Sequence, residues 1–313
     1  MRQKRGFGAA ACALCLLTSV ACAGSGDVAL TAVRTLGLDD GQAYLNRPID
    51  IAWTADGRAF VLNGGDDTVV VLSPGWLHLM SFAGRGEAPG ELSRPTMLQI
   101  AADQVWVKVP RGIETYDLDG HYEGLIRLPY EISSVYPYAN DLIGTSSFAD
   151  GIGVRFDTEG KVLGHFGPRP PKLRDTKDFA RSLSWLMLPG GRDTCTFLDL
   201  FDGKAWRVHG LAGEGQPFDL GLGKGEFANE FQFKAVVSDA CVDPLGGYFV
   251  VHYPESGGPG YLVHVSPDWQ QDGRWRFGSG MRPGIIRVSP RGEICLVEEQ
   301  GSIIHLCARP DLR

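Results

Sequence analysis

Self-similarity at a spacing of roughly 40–50 residues constrains this 313-residue chain more than any single motif does. Arg47-Pro48-Ile49 and Arg94-Pro95-Thr96 stand 47 residues apart, and each opens an apolar stretch of strand composition. Ser73-Pro74-Gly75, Asp117-Leu118-Asp119-Gly120 and Asp157-Thr158-Glu159-Gly160 recur 40 to 45 residues apart, each after a β-rich run. A second turn class contains Asp56-Gly57, Pro189-Gly190-Gly191, Asp243-Pro244-Leu245-Gly246 and Ser289-Pro290-Arg291-Gly292. Runs such as Tyr248-Phe249-Val250-Val251 follow these turns. The 42 Gly and 19 Pro are spread along the chain, as many evenly placed turns require. No segment after the N-terminus sustains a 3.6-residue apolar period, so few helices are expected.

Units of this length with four short strands are the signature of a β-propeller. The units fall at 48–83, 95–129, 131–168, 181–221 and 233–278, with three further strands in 284–308. The missing fourth strand is expected from Val28–Leu36, at the start of the exported chain. That pairing closes the ring and removes two exposed edges. The expectation is an all-β, six-bladed propeller over residues 28–308, closed by its N-terminal strand. Five or seven blades stay open, because the units around 170–230 are irregular.

The N-terminus carries Arg2, Lys4 and Arg5, then an apolar run from Phe7 to Val20, then small residues. That order reads as a secretory signal over residues 1–21, too short to span a bilayer. Ser19-Val20-Ala21-Cys22 resembles a lipobox, with Ser19 where Leu is usual. Cys22 is then the lipidated first mature residue, and the location is periplasm or outer membrane. Ordinary cleavage after Ala21 or Ala23 is the alternative. Loss of residues 1–21 removes three cations and no acid, so the formal charge moves from -7 to -10. Such a surface repels phosphate backbones, which argues against nucleic acid as a partner. Membrane contact is expected through a lipid anchor alone.

Cys195, Cys241, Cys295 and Cys307 remain after the signal region, an even number that permits disulfides in an exported protein. A three-residue loop centred on Gly301 would set Cys295 opposite Cys307, leaving Cys195 and Cys241 as a second pair. Four buried small hydrophobes are the alternative. No CxxC occurs to suggest a zinc site.

Phe82-Ala83-Gly84-Arg85-Gly86-Glu87-Ala88-Pro89-Gly90-Glu91-Leu92 is similar to the interblade link of bacterial extracellular six-bladed propellers related to NHL repeats. Leu222-Gly223-Lys224-Gly225-Glu226-Phe227 is a degenerate second copy. The resemblance implies architecture and carries no catalytic residue with it.

No Gly-x-Ser-x-Gly nucleophile motif occurs. The histidines map to third and fourth strands or the turns between them, apart from His252 on a second strand. They do not converge as a metal centre needs, and no metal or cofactor is expected. Asp117–Gly120 with Glu123 reads better as a strand-joining turn than as a calcium loop. One pattern points to binding. Arg47, Arg94 and Arg282 each precede a Pro where an innermost strand begins, and Lys234 holds the matching place in the fifth unit. Four cations around one funnel would favour an anionic ligand, unless each pairs with a nearby acid such as Glu87 or Glu91. Arg85 and Arg111 are weaker candidates on the same face. The expected function is an exported, non-catalytic binding or scaffolding propeller for a protein or a small anionic ligand. The alternative is a lactonase-, lyase- or glycosidase-like enzyme with its site in the funnel.

Overall fold

The computed structural model describes residues 28–37, 45–128, 132–146, 150–169, 184–190, 194–227, 233–254, 258–298 and 301–312. Residues 1–21, read from the sequence as a secretory signal, and Cys22 lie outside these residues. Every regular element among them is a strand. The chain begins with β1 (Ala29–Leu30) and β2 (Ala32–Leu36). Blade one is β3 (Pro48–Trp53), β4 (Ala59–Asn63), β5 (Thr68–Leu72) and β6 (His78–Ala83). Blade two is β7 (Met97–Ala101), β8 (Gln104–Val109), β9 (Gly112–Asp117) and β10 (Tyr122–Arg127). Blade three is β11 (Val135–Tyr138), β12 (Asp141–Thr145), β13 (Gly153–Phe156) and β14 (Val162–Phe166). Blade four is β15 (Trp185–Pro189), β16 (Thr194–Asp199), β17 (Lys204–His209) and β18 (Gln216–Asp219). A two-stranded ribbon of β19 (Glu226–Phe227) and β20 (Phe233–Lys234) leads to blade five. That blade is β21 (Val237–Val242), β22 (Tyr248–His252), β23 (Tyr261–Val265) and β24 (Gln271–Phe277). Blade six is β25 (Pro283–Val288), β26 (Ile294–Glu298) and β27 (Ile304–Cys307), with β2 as its outer strand.

Burial along each blade explains the residue choice. Middle strands are buried on both faces by neighbouring blades, so β4 (AFVLN) and β5 (TVVVL) read as nearly continuous apolar runs. Outer strands face solvent, and β6 and β18 are correspondingly exposed or half-buried along their length. Six buried clusters fill the six gaps between blades, and their membership decides the blade count. Phe60, Val71 and Val105 join blades one and two, for example, and Leu188, Val250 and Val263 join four and five. One cluster places Leu36, Val297 and Leu306 against Ile51, Val61 and Val70, so blade six packs on blade one and the ring is closed.

Closure differs in detail from the single strand expected at 28–36. β2 pairs antiparallel with β27, as expected, while β1 pairs in parallel with β24 of blade five. The N-terminus therefore stitches two blades. Leu30 and Leu36 are both buried in the adjoining clusters.

The turn between third and fourth strands repeats with one substitution of chemical interest. Gly120 and Gly160 occupy its left-handed position with φ of 84° and 86°. Trp76 and Trp269 stand at the equivalent place in blades one and five, with φ of 66° and 65°. A left-handed non-glycine costs roughly 1–2 kcal/mol. The indole offsets that cost by packing across the blade gap. Trp269 stacks between Phe218 and Tyr248, at 4.8 and 5.3 Å between ring centroids, with Arg207 over its face. Trp76, Trp106, Trp269 and Trp275 are all buried, so the tryptophans serve packing between blades.

The register corrects the disulfide expectation. Cys295 lies opposite Leu306 and Cys307 opposite Ile294, because the β26–β27 turn carries one residue fewer than a pairing of these cysteines needs. One step of register sends side chains to opposite faces of a sheet. Cys295 accordingly packs toward blade one and Cys307 toward blade five. Cys195 and Cys241 belong to separate clusters as well. All four are free thiols, and burial pushes each thiol pKa up, Cys307 to about 11 and Cys195 to about 12.

Candidate functional site

The innermost strands of all six blades surround an axial cavity of about 280 Å³, blade three through Tyr136 on β11 and blade six through Arg287 on β25. Its centre is charged. Arg287 on β25 reaches Asp50 on β3 at 2.8 Å and Asp239 on β21 at 2.6 Å, tying blades six, one and five. Each carboxylate also accepts a backbone N–H from the next blade. Asp50 takes Leu98 N–H at 2.8 Å, and Asp239 takes Ile286 N–H at 3.0 Å. The two aspartates hold equivalent places in their strands and act as repeated stitches. Burial lifts the Asp50 carboxyl above the usual range, against the pull of Arg287 and the Leu98 N–H. The Arg287 guanidinium loses hydration on burial, but its two carboxylates more than restore its charge. A half-buried Arg between two Asp leaves a formal charge of -1 on the trio.

Two further polar groups line this cavity. The Gln99 amide nitrogen is buried and has no hydrogen-bond partner among the described residues. Tyr136, whose phenol burial pushes up to about 12, donates to no group among the described residues. The walls are apolar, from Trp53, Met97, Ile100, Leu186 and Leu188. The cavity therefore offers hydrogen-bond donors on an apolar lining, around a centre whose carboxylates already hold partners.

The four cations read from the sequence sit elsewhere. Arg47, Arg94, Arg282 and Lys234 are all exposed and do not line the axial cavity. Arg47, Arg94 and Arg282 stand just before innermost strands and Lys234 on β20 of the ribbon before blade five, whereas Arg287 lies five residues beyond Arg282, roughly 16 Å at 3.3 Å per residue. The Lys234 ammonium donates to Pro254 O at 3.1 Å, and the Arg282 main-chain N–H donates to Glu298. Arg282 lines a cleft of about 540 Å³ with Arg276. Arg85 is held by Asp67 and Gly65 O, and Arg111 by Glu114 and the carbonyls of 87, 88 and 91. Both brace the link between blades one and two, whose Leu92 is fully buried.

Sequence reading missed Arg287, Asp50 and Asp239. Their signal was an acid inside an apolar strand, in Ile49-Asp50-Ile51 and Ser238-Asp239-Ala240, where acids are depleted.

The histidines fall on the expected strands. His264, buried on β23, sits between Asp243 at 3.0 Å and Asp272 at 2.5 Å. Burial pushes the Asp243 carboxyl up, but Arg309, the Leu245 N–H and His264 outweigh it and hold it below the usual range. Arg309 thereby fastens the C-terminal segment to blade five. Asp117 accepts the N–H groups of Asp119 and His121, so its loop is a strand-joining turn. Among the described residues, no three His, Cys, Asp or Glu side chains are grouped to hold a metal ion.

Solved structures share this fold at low identity. A Bacteroides fragilis protein assigned as exported aligns with a TM-score of 0.61 and 12% identity, over 91% of this chain and 97% of that one. A streptogramin B lyase aligns at 0.56 and 11%, over 87% and 97%. The WD40 propeller domain of Doa1 aligns at 0.56 and 10%, over 91% and 98%. At these identities the likeness shows the propeller fold. No family model matches the chain, and no curated protein matches it in sequence.

Proposed function

We propose that this chain is an exported binding propeller that holds a small neutral ligand in the axial cavity, by way of a carbonyl-type oxygen. The observation that carries the reading is Gln99, which lines that cavity and whose buried amide nitrogen has no partner among the described residues. An unpaired buried donor costs roughly 1–3 kcal/mol. A ligand oxygen would remove that cost, aided by the Tyr136 hydroxyl. The surplus negative charge around Arg287 disfavours an anion at this position. The volume lies near the lower end of ligand pockets, about 300–1,000 Å³. The lyase neighbours show a catalyst built on the same scaffold, but their 11% and 13% identity carries no residue across.

Gln99→Leu separates this reading from a purely structural one. It is expected to stabilise the free protein by about 1–2 kcal/mol, because a buried donor without a partner is removed. It is also expected to weaken binding of small amides and lactones at least tenfold. Urea unfolding, and titration with N-acetyl amino-acid amides and γ-butyrolactone, check both parts. Tyr136→Phe should weaken the same ligands with little change in stability. A wild type that binds none of these probes, or a Gln99→Leu protein that binds them equally well, sinks the proposal.

Export rests on the order of charge, apolar run and small residues before Cys22. The expected form carries a diacylglyceryl group on Cys22 and sits in the envelope. The intact mass of the mature protein checks this. An unmodified mature chain beginning after Ala21 or Ala23 would replace the lipoprotein with a soluble periplasmic form.

A further inference from the structure

We propose that the cleft between blades five and six is a second binding site, for a small organic anion carrying a carboxylate or phosphate on an apolar body. The cleft of about 540 Å³ is built from two glycine-rich segments, Gly258-Pro259-Gly260 and Gly278-Ser279-Gly280. Two guanidinium groups line it, Arg276 from the end of β24 and Arg282 from just before β25. Both are exposed, and neither side chain forms an ion pair or hydrogen bond among the described residues. The Glu298 carboxylate on β26, opposite Pro283, is already engaged. Glu298 accepts the Arg282 main-chain N–H at 2.9 Å and His305 at 2.8 Å.

The turn adds donors to the two cations. Met281 N–H closes onto Gly278 O at 3.1 Å, with Gly280 at φ 86°, a type II geometry that calls for glycine at that position. The main-chain N–H groups of Ser279 and Gly280 enter no hydrogen bond among the described residues. The cleft also has an apolar part. Tyr253 and Phe277 meet with ring centroids 6.2 Å apart, and Met281 lies beside them. Gly260 is required there, because a Cβ would strike both rings. Two forked cations suit a planar carboxylate or a phosphate, and the rings suit an apolar body. This site is independent of the axial cavity. It keeps Arg282 from the cation pattern of the sequence, adds Arg276, and omits Arg47, Arg94 and Lys234.

The test is calorimetric titration of the full exported chain with inorganic phosphate, acetate and benzoate at low salt. Benzoate is expected to bind more tightly than acetate, and phosphate to bind saturably. The Arg276→Gln/Arg282→Gln variant should weaken all three at least tenfold while keeping the wild-type unfolding midpoint. Raising the salt to 0.5 M should weaken binding in the wild type, as screening requires. Arg94→Gln and Gln99→Leu should leave these affinities unchanged. The proposal is overturned if the double variant binds as the wild type does. It is also overturned if Arg94→Gln weakens binding as much, which would place the anion on a ring of cations across the whole face.

Discussion

Removal of residues 28–36 should abolish the cooperative fold. Leu30 and Leu36 are buried at 5% and 0% exposure in two different interblade clusters, and burying each such side chain is worth about 2–5 kcal/mol. Their joint loss, about 4–10 kcal/mol, is comparable with the 5–15 kcal/mol that holds a typical protein together. The deletion also bares the edges of β24 and β27, and Arg276 N–H and Gly278 N–H lose the carbonyls of Val28 and Leu30. Open edges of that kind invite association. The truncated protein is expected to show no sharp urea transition and to sediment as aggregates. A synthetic peptide of residues 28–37 added during refolding should restore part of the native signal. A truncated chain with an unchanged midpoint would show that the closure contributes nothing.

Arg287→Leu should be the most damaging single substitution at the axis. It leaves Asp50 and Asp239 buried beside each other without a counter-charge, a situation that typically costs about 3–5 kcal/mol. The cost depends on pH in a stated direction. The folded-state pKa of Asp50 is raised above the ordinary value of 3.8 even with Arg287 present. The folded state therefore binds protons that the unfolded chain has already released, so the Asp50 contribution worsens as pH rises through that window. Without Arg287 the window moves upward. The loss should be full at pH 7.5 and smaller at pH 5, as the Asp50 carboxyl takes up a proton. Adding Asp50→Asn and Asp239→Asn to Arg287→Leu should recover most of the stability at neutral pH. The amide oxygens can still accept the Leu98 and Ile286 N–H groups while the unpaired charges are gone. Urea unfolding at both pH values checks the set. A loss that is equal at pH 7.5 and pH 5, or a triple variant no more stable than the single one, would show that charge is not the cause.

The axial trio also bears on function. A charge group between two carboxylates is often replaceable by packed apolar residues at no loss of stability. Here the two aspartates each bond to the following blade, so they set how blades meet as well as how Arg287 is held. The donors left over, on Gln99 and Tyr136, stand in the same cavity without that structural duty. That division makes Gln99 and Tyr136 the informative positions for ligand work and Arg287 the informative one for the fold.

The blade bounds, an expected count of six and the ring closure were legible in the sequence because they follow from local pattern. Ser-Pro, Asp-Gly and Gly-rich turns recur at one spacing, and the runs between them have strand composition, so each unit announces itself within about 45 residues. The incomplete last unit and the unpaired N-terminal strand then leave one way to close the ring. The parallel pairing of β1 with β24 was not legible, since it depends on which edge of blade five the closed ring exposes. Cysteine pairing failed for a related reason, because one residue in the β26–β27 turn decides the face on which Cys295 and Cys307 lie. The polar groups of the axis and the cleft are set wholly by tertiary structure. Asp50, Asp239 and Arg287 come from three blades, and Arg276 and Arg282 from the end of one blade and the start of the next. Their meeting depends on the radius and tilt of the assembled ring, which no local run of residues encodes.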